Sequence, residues 1–181
     1  MLRLINAIRC YASYVWSRLW GVRAVHHMPL FVSVEPANVC QLRCPECPVG
    51  QAVERKGTAP RLMQEQVWLR ILNQVEPYTY TIQFYFQGEP LLNKDLPDMI
   101  SYASGKGVFT CVSTNGNALT EDVVKRLSQS GIGRLIICLD GATEESYTQY
   151  RVGGDFDKVV RGISLAVRYG LPLEVQCLLL S

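Results

Sequence analysis

The sequence predicts an α/β fold built on a parallel sheet. Short runs rich in β-formers alternate with segments whose apolar residues recur at helical spacing. The links between them are short, so each helix serves as the right-handed crossover that two parallel strands need. Hydrophobic residues make up 48% of the 181 and charged residues 19%. That balance suits a globular core and excludes a disordered tail, a collagen-like repeat and a disulfide-stapled scaffold.

Residues 1–27 precede the alternation. They carry Arg3, Arg9, Arg18 and Arg23, no acidic residue, and many Leu, Ile, Tyr and Trp. No unbroken apolar stretch leads to a small-residue cleavage site, so a secretory signal is not expected. Three arginines also interrupt any membrane span. The expectation is an amphipathic helix within 1–27 whose apolar stripe docks on the domain of residues 28–181 or on a partner segment. A basic helix lying on a lipid surface is the alternative. His26 and His27 read as loop residues before the first strand.

Leu30–Glu35 is the first expected strand. A Cys/Pro loop follows, then a helix from about Gln64 to Glu76 with Val67, Trp68, Ile71, Leu72 and Val75 on one face. Tyr80–Phe86 is the second strand, Asp95–Ser104 a helix and Val108–Ser113 the third strand. Glu121–Ser130 is a helix started by Thr120 and closed by Gly131. Arg134–Leu139 is the fourth strand, Phe156–Tyr169 a helix ending at Gly170, and Leu173–Leu180 the fifth strand. In such sheets the chemistry sits in loops at the C-terminal ends of the strands.

The first of those loops holds three of the seven cysteines, Cys40-x3-Cys44-x2-Cys47. An odd count with one tight cluster argues for a metal site in a reducing compartment rather than a disulfide framework. Pro45 and Pro48 oppose a regular helix, so the chain must wrap, and a wrapped loop can turn three thiolates inward on one centre. Three thiolates form an incomplete ligand set, which suits an iron–sulfur cube with one iron open to an outside ligand. Arg43 and loop amides would offset part of the negative charge. Three rivals stand beside it: structural zinc with a fourth ligand from His26 or His27, a Cys44–Cys47 redox dithiol, and three unligated cysteines. Cys111 and Cys177 read as buried strand residues, and Cys10 has no assignment.

The loops after the other strands carry polar groups. Gln87-Gly88-Glu89-Pro90 sets a carboxylate beside a glycine that permits close backbone approach. Ser113-Thr114-Asn115-Gly116 follows strand three, and Cys138-Leu139-Asp140-Gly141 follows strand four, with Cys138 and Asp140 on one side by alternation. Arg151, beside Gly153-Gly154, would grip a carboxylate or stand as a surface charge.

Cys40-x3-Cys44-x2-Cys47, Gly88-Glu89-Pro90, Ser113-Thr114-Asn115-Gly116 and Leu139-Asp140-Gly141, in this order, resemble the radical S-adenosylmethionine (SAM) superfamily from about Leu30 to the end. Glu35–Pro48 and the YRVGG segment look most similar to members that continue into a cysteine-rich C-terminal domain, the SPASM type. The resemblance implies a partial parallel (β/α) barrel. It implies a [4Fe–4S] cluster on Cys40, Cys44 and Cys47, with SAM on the open iron. Gly88, Glu89 and Pro90 would hold the methionine amino group. Asp140 and the strand-four end at Cys138 would contact the ribose, and Thr114, Asn115 and Arg151 would line the rest. Reductive cleavage of SAM would yield a 5′-deoxyadenosyl radical that abstracts hydrogen, in peptide or protein modification or in cofactor maturation. A reductant such as flavodoxin or ferredoxin is implied, and a cytoplasmic location. A near-neutral balance of 18 basic and 16 acidic residues gives no nucleic-acid signature. Three positions depart from the family pattern. Glu46 replaces a frequent aromatic, Gln87 replaces the first glycine of the turn, and Cys138 replaces a common serine.

A complete (β/α) barrel takes about 250 residues. Five strands are one short of even a six-strand partial barrel. The chain is therefore expected to be the cluster-binding part of a longer enzyme.

Overall fold

The computed structural model describes residues 1–23, 25–51 and 61–178. Among these residues a long helix, α1 (Leu2–Trp20), leads into four strand–helix units and a fifth strand: β1 (Phe31–Ser33), α2 (Glu65–Val75), β2 (Thr81–Gln83), α3 (Leu96–Gly105), β3 (Phe109–Thr114), α4 (Glu121–Gln129), β4 (Arg134–Cys138), α5 (Glu144–Tyr150), α6 (Phe156–Arg168) and β5 (Leu173–Gln176). A single 3₁₀ turn, Pro90–Leu92, stands between β2 and α3. All four strand pairings are parallel, in the order β1-β2-β3-β4-β5. That is the α/β sheet the alternation predicts.

One face of the sheet makes the core. Ile82, Val112, Leu135 and Ile137 pack against Leu72 of α2, Met99 and Ile100 of α3, Leu127 of α4 and Ala166 of α6, all fully buried. The alternate residues Ser33, Gln83, Cys111, Ser113 and Cys138 point to the other face. The expected cap of α4 is present, with Thr120 Oγ1 accepting from Val123 N–H.

β4 ends one residue earlier than expected, and β1, β2 and β5 are shorter by more. β1 and β2 leave their ladder early because the chain there turns to serve the site: Ser33 Oγ donates to Tyr85 O at 2.6 Å, and the Glu35 carboxylate reaches across to the turn after β2. β5 ends at Gln176, where Leu178 N–H is taken by Asp140 Oδ1 at 2.8 Å. Cys177 is consequently exposed and outside the strand, against the expectation of a buried packing residue. Leu179 and Leu180, the end of the expected fifth strand, lie outside the described residues. Cys111 is buried as expected.

The α5 helix is absent from the sequence reading. Thr143 and Ser146 form a reciprocal capping box at its start, and Glu144 and Glu145 fill its first turn. Seven residues with no apolar periodicity conceal it, although Thr143-x-x-Ser146 carries the signal.

The α1 helix reverses the expected docking. Its buried residues are the polar Asn6 and Ser13, and its large apolar residues face outward. Asn6 accepts from Met28 N–H and donates to the carbonyls of Met28 and Tyr78. Arg3 donates to the carbonyls of Glu76, Lys106 and Gly107, at the C-terminal ends of α2 and α3, where a cation meets unpaired carbonyls. Helix α1 therefore closes the end of the sheet opposite the strand C-termini.

Candidate functional site

The loops at the C-terminal ends of the strands converge on one cavity of about 250 Å³. Cys40, Cys44 and Cys47 line it from the loop after β1, and Gly88 and Glu89 from the turn after β2. Ser113, Thr114 and Asn115 line it from β3, Cys138 from β4, and Arg151 from the end of α5.

The cysteine loop wraps as its prolines require. Cys47 N–H donates to Cys44 O, Gln51 N–H to Cys47 O, and Arg43 N–H to Val152 O. Leu42 N–H donates to Cys40 Sγ at 3.4 Å. Gly50 lies where a Cβ would come within 2.9 Å of Cys44 N, so the wrap closes only without a side chain there.

Gly88 locks this loop to the next. A Cβ there would stand 1.8 Å from the Ala37 carbonyl oxygen. Both Gln87 N–H and Gly88 N–H donate to Glu35 Oε1 at 2.9 Å, and Glu89 N–H donates to Val39 O at 2.8 Å. Glu35 is a site-shaping residue that sequence reading missed, because its partners lie 52 and 53 residues away.

Glu89 is 2% exposed. Its Oε1 accepts from Thr114 Oγ1 at 2.6 Å and Leu91 N–H at 3.0 Å, and its Oε2 accepts from Asn115 N–H at 2.9 Å. Burial raises its pKa above the usual carboxylate value, and these hydrogen bonds pull the other way. Three of its roughly four acceptor positions are thus engaged inside the protein. The Asn115 side chain continues the chain of contacts. Its Nδ2 donates to Cys40 Sγ at 3.5 Å, and its Oδ1 accepts from Gln41 Nε2 at 3.1 Å. Pro90 is buried and opens the 3₁₀ turn.

Arg151, partly buried, pairs with the buried Asp140. The Arg151 Nε and Nη2 atoms both donate to Asp140 Oδ2 at 2.5 Å, and Nη1 is 3.7 Å from Cys44 Sγ. Burial alone would lower the Arg151 pKa, but the charges of Asp140 and Cys44 raise it, so the guanidinium stays protonated. Asp140 has both oxygens occupied, by Arg151 and by Leu178 N–H. It holds Arg151 over the cysteine loop. Cys138 Sγ lies 3.5 Å from Ser113 Oγ on the cavity wall.

The rival readings of the cysteines meet geometric objections. His26 N–H donates to Ser13 Oγ and His27 Nδ1 sits 3.0 Å from Met28 O, so both histidines lie by α1 at the opposite end of the sheet. Neither reaches the cysteine loop as a zinc ligand. Among the described residues, no three His, Cys, Asp or Glu side chains converge on a single ion. Burial raises the thiol pKa of Cys40 and Cys44, and the Arg151 guanidinium pulls that of Cys44 the other way. Three soft thiol donors spread around a cavity suit a polynuclear iron–sulfur cluster with one open iron.

Comparison with known proteins agrees with this donor set. The family model described as "Radical SAM superfamily" matches residues 34–180. The chain is 28% identical over 150 residues to the PqqA peptide cyclase of Granulibacter bethesdensis, covering 81% of this chain and 39% of the relative. It is 26% identical to the AdoMet-dependent heme synthase of Methanosarcina barkeri, covering 84% and 43%. Among solved structures, Streptococcus suis SuiB bound to its precursor peptide SuiA superposes with a TM-score of 0.68 at 18% identity, covering 82% of this chain and 32% of SuiB. The chain thus spans about two fifths of the length of the curated relatives it matches. It belongs to the radical SAM superfamily, whose cofactors are a [4Fe–4S] cluster and S-adenosylmethionine.

Proposed function

We propose that Cys40, Cys44 and Cys47 hold the [4Fe–4S] cluster, that SAM binds in the cavity they line, and that the chain is the catalytic part of an enzyme acting on a peptide or protein. When bound, the pair would supply one-electron reductive cleavage of SAM and, through it, radical hydrogen abstraction from the substrate. The observation that supports this reading is the meeting of three thiols, Glu89, Thr114, Asn115 and Arg151 around one cavity at the strand C-termini.

The chain's own residues would bind and orient. Arg151, kept in place by Asp140, offsets the negative charge of the thiolates at Cys44. Glu89 clamps the Thr114–Asn115 corner, and its remaining acceptor position suits the amino group of SAM. Asn115 steadies Cys40. Cys138 and Gly88 complete the wall against which the cofactor would rest, and Pro90, buried behind that wall, would set the turn that presents Glu89.

A peptide substrate is supported by the likeness to PqqA peptide cyclase and by the shared fold with peptide-bound SuiB. The heme synthase relative keeps cofactor maturation as the second substrate class. We assign the electron supply to a small carrier such as flavodoxin or ferredoxin and the location to the cytoplasm, where unpaired thiols and a low-potential cluster survive. No helix among the described residues is long and apolar enough to cross a membrane.

The test is anaerobic reconstitution with iron and sulfide, then reduction and addition of SAM. Absorbance at about 400 nm, from thiolate-to-iron charge transfer, is expected in the parent and absent in Cys44→Ala. 5′-Deoxyadenosine should form. A colourless protein with one zinc per chain overturns the reading.

A further inference from the structure

The α1 helix packs on the fold by its polar side and turns its apolar side outward. Leu4, Ile8, Tyr11 and Leu19 are each between 60% and 73% exposed. At 100° per residue these four fall on one stripe, directly opposite the docked Asn6 and Ser13. Arg18 borders the stripe on one flank, while Arg9 lies about 80° beyond its other edge, between Trp16 and Trp20; both arginines are exposed. Trp16 and Trp20 follow round the helix on that side, their ring centroids 5.6 Å apart and their planes tilted by 38°, and both are more than half exposed.

An outward apolar face this long must be covered, since monomeric proteins seldom leave contiguous apolar patches of this size in water. Charge decides what covers it. No acidic residue occurs before Glu35, and of the arginines in α1 only Arg3 is spent on internal contacts. The stripe therefore lies in a positive field. Pairing with a second copy would bring identical arginine flanks together. An anionic lipid surface instead receives the apolar stripe at the acyl boundary, the indole and phenol rings at headgroup level, and the arginines at the phosphates. The helix is about 28 Å long, and its arginines forbid a span, so it lies flat.

We infer that α1 is a peripheral membrane-docking helix that seats the protein on an anionic lipid surface with the cysteine-lined cavity facing away from the bilayer. The orientation follows from where α1 sits. Arg3 fixes it to the carbonyls of Glu76, Lys106 and Gly107, at the strand N-termini, while the cavity opens at the strand C-termini. The cavity then stays open to substrates and electron carriers from the aqueous side. This surface is independent of what the cysteines hold.

The test uses the full chain with phosphatidylcholine vesicles, with or without about one third phosphatidylglycerol. Co-sedimentation and tryptophan emission are read together, because Trp16 and Trp20 are exposed and Trp68 is buried. Binding to the anionic vesicles with a blue shift, weakening as salt rises, is expected. Arg9→Gln and Arg18→Gln should each reduce partitioning roughly fivefold. Ile8→Asp combined with Leu19→Asp should abolish it without altering the thermal melt. Absence of binding to anionic vesicles overturns the inference. So does equal binding to neutral vesicles, or partitioning that the arginine substitutions leave unchanged. A concentration-dependent dimer whose tryptophan emission ignores vesicles also overturns it.

Discussion

Replacing Glu89 with alanine removes the acceptor at the junction of three loops. The carboxylate takes hydrogen bonds from Thr114 Oγ1, Asn115 N–H and Leu91 N–H at 2.6, 2.9 and 3.0 Å, and it is almost wholly buried. Hydrogen bonds to a charged group contribute about 1.5–3 kcal/mol each, so three set an upper range of about 5–9 kcal/mol. The cost of burying the carboxylate, seen in its raised pKa, offsets part of that. A net loss of about 3 kcal/mol is expected, which lowers the Tm by roughly 6–12 °C for a chain of this size. Urea unfolding of the cluster-free protein measures it. SAM binding should also fall, because the Thr114–Asn115 corner loses its anchor, while the three cysteines keep their cluster absorbance. The pH dependence has a definite sign. A raised native pKa means that the folded protein binds this proton more tightly than the unfolded chain does. Relative to Glu89→Gln, the parent therefore loses stability as pH rises from the ordinary carboxylate value, about 4.3, up to the raised native one, and the difference is constant above it. A stability loss under about 1 kcal/mol in Glu89→Ala would refute the clamp. It would leave Glu89 as a plain ligand group.

Gly88→Ala should be the most disruptive single methyl in the site, because its Cβ would meet the Ala37 carbonyl oxygen; loss of folded yield, or of cluster absorbance after reconstitution, is the readout. Arg151→Lys keeps a cation beside Asp140 but loses the fork that also reaches Cys44. The cluster midpoint potential, read by EPR redox titration, should move to a more negative value, and an unchanged potential would dissociate Arg151 from the cluster. Thr143→Ala removes the capping box of α5 and should cost about 1 kcal/mol, visible as a drop of a few degrees in the melt. Cys111→Ser and Cys138→Ser should retain the cluster absorbance that Cys44→Ala abolishes.

Much of the fold was legible because its signals are local. Helical spacing in α2 and α4, the Thr120 cap and the β-rich runs each sit within one window of sequence, and the alternation of strand and helix dictates a parallel order. The cysteine spacing and the motifs after β2, β3 and β4 identified the family on the same basis. What sequence missed is non-local. Glu35 bonds the turn at Gln87 and Gly88, Asn115 reaches Cys40, and Arg151 reaches Cys44, across separations of 52 to 107 residues. Asp140 read as a ribose contact, and only the packing of α5 and the end of β5 show its oxygens engaged by Arg151 and Leu178 N–H.

The α1 helix separates the two kinds of knowledge most clearly. Its amphipathic period was evident from residue order alone, because 3.6 residues per turn assigns each side chain to a face. Which face meets the domain was not. The surface at the strand N-termini offers α1 unpaired carbonyls of Glu76, Tyr78, Lys106 and Gly107. Such a surface rewards the donors Arg3 and Asn6 over leucines, since a buried carbonyl without a partner costs more than an apolar contact returns. Local periodicity determined the elements and the motif order; the distribution of unpaired polar groups on the assembled sheet decided the docking and the site.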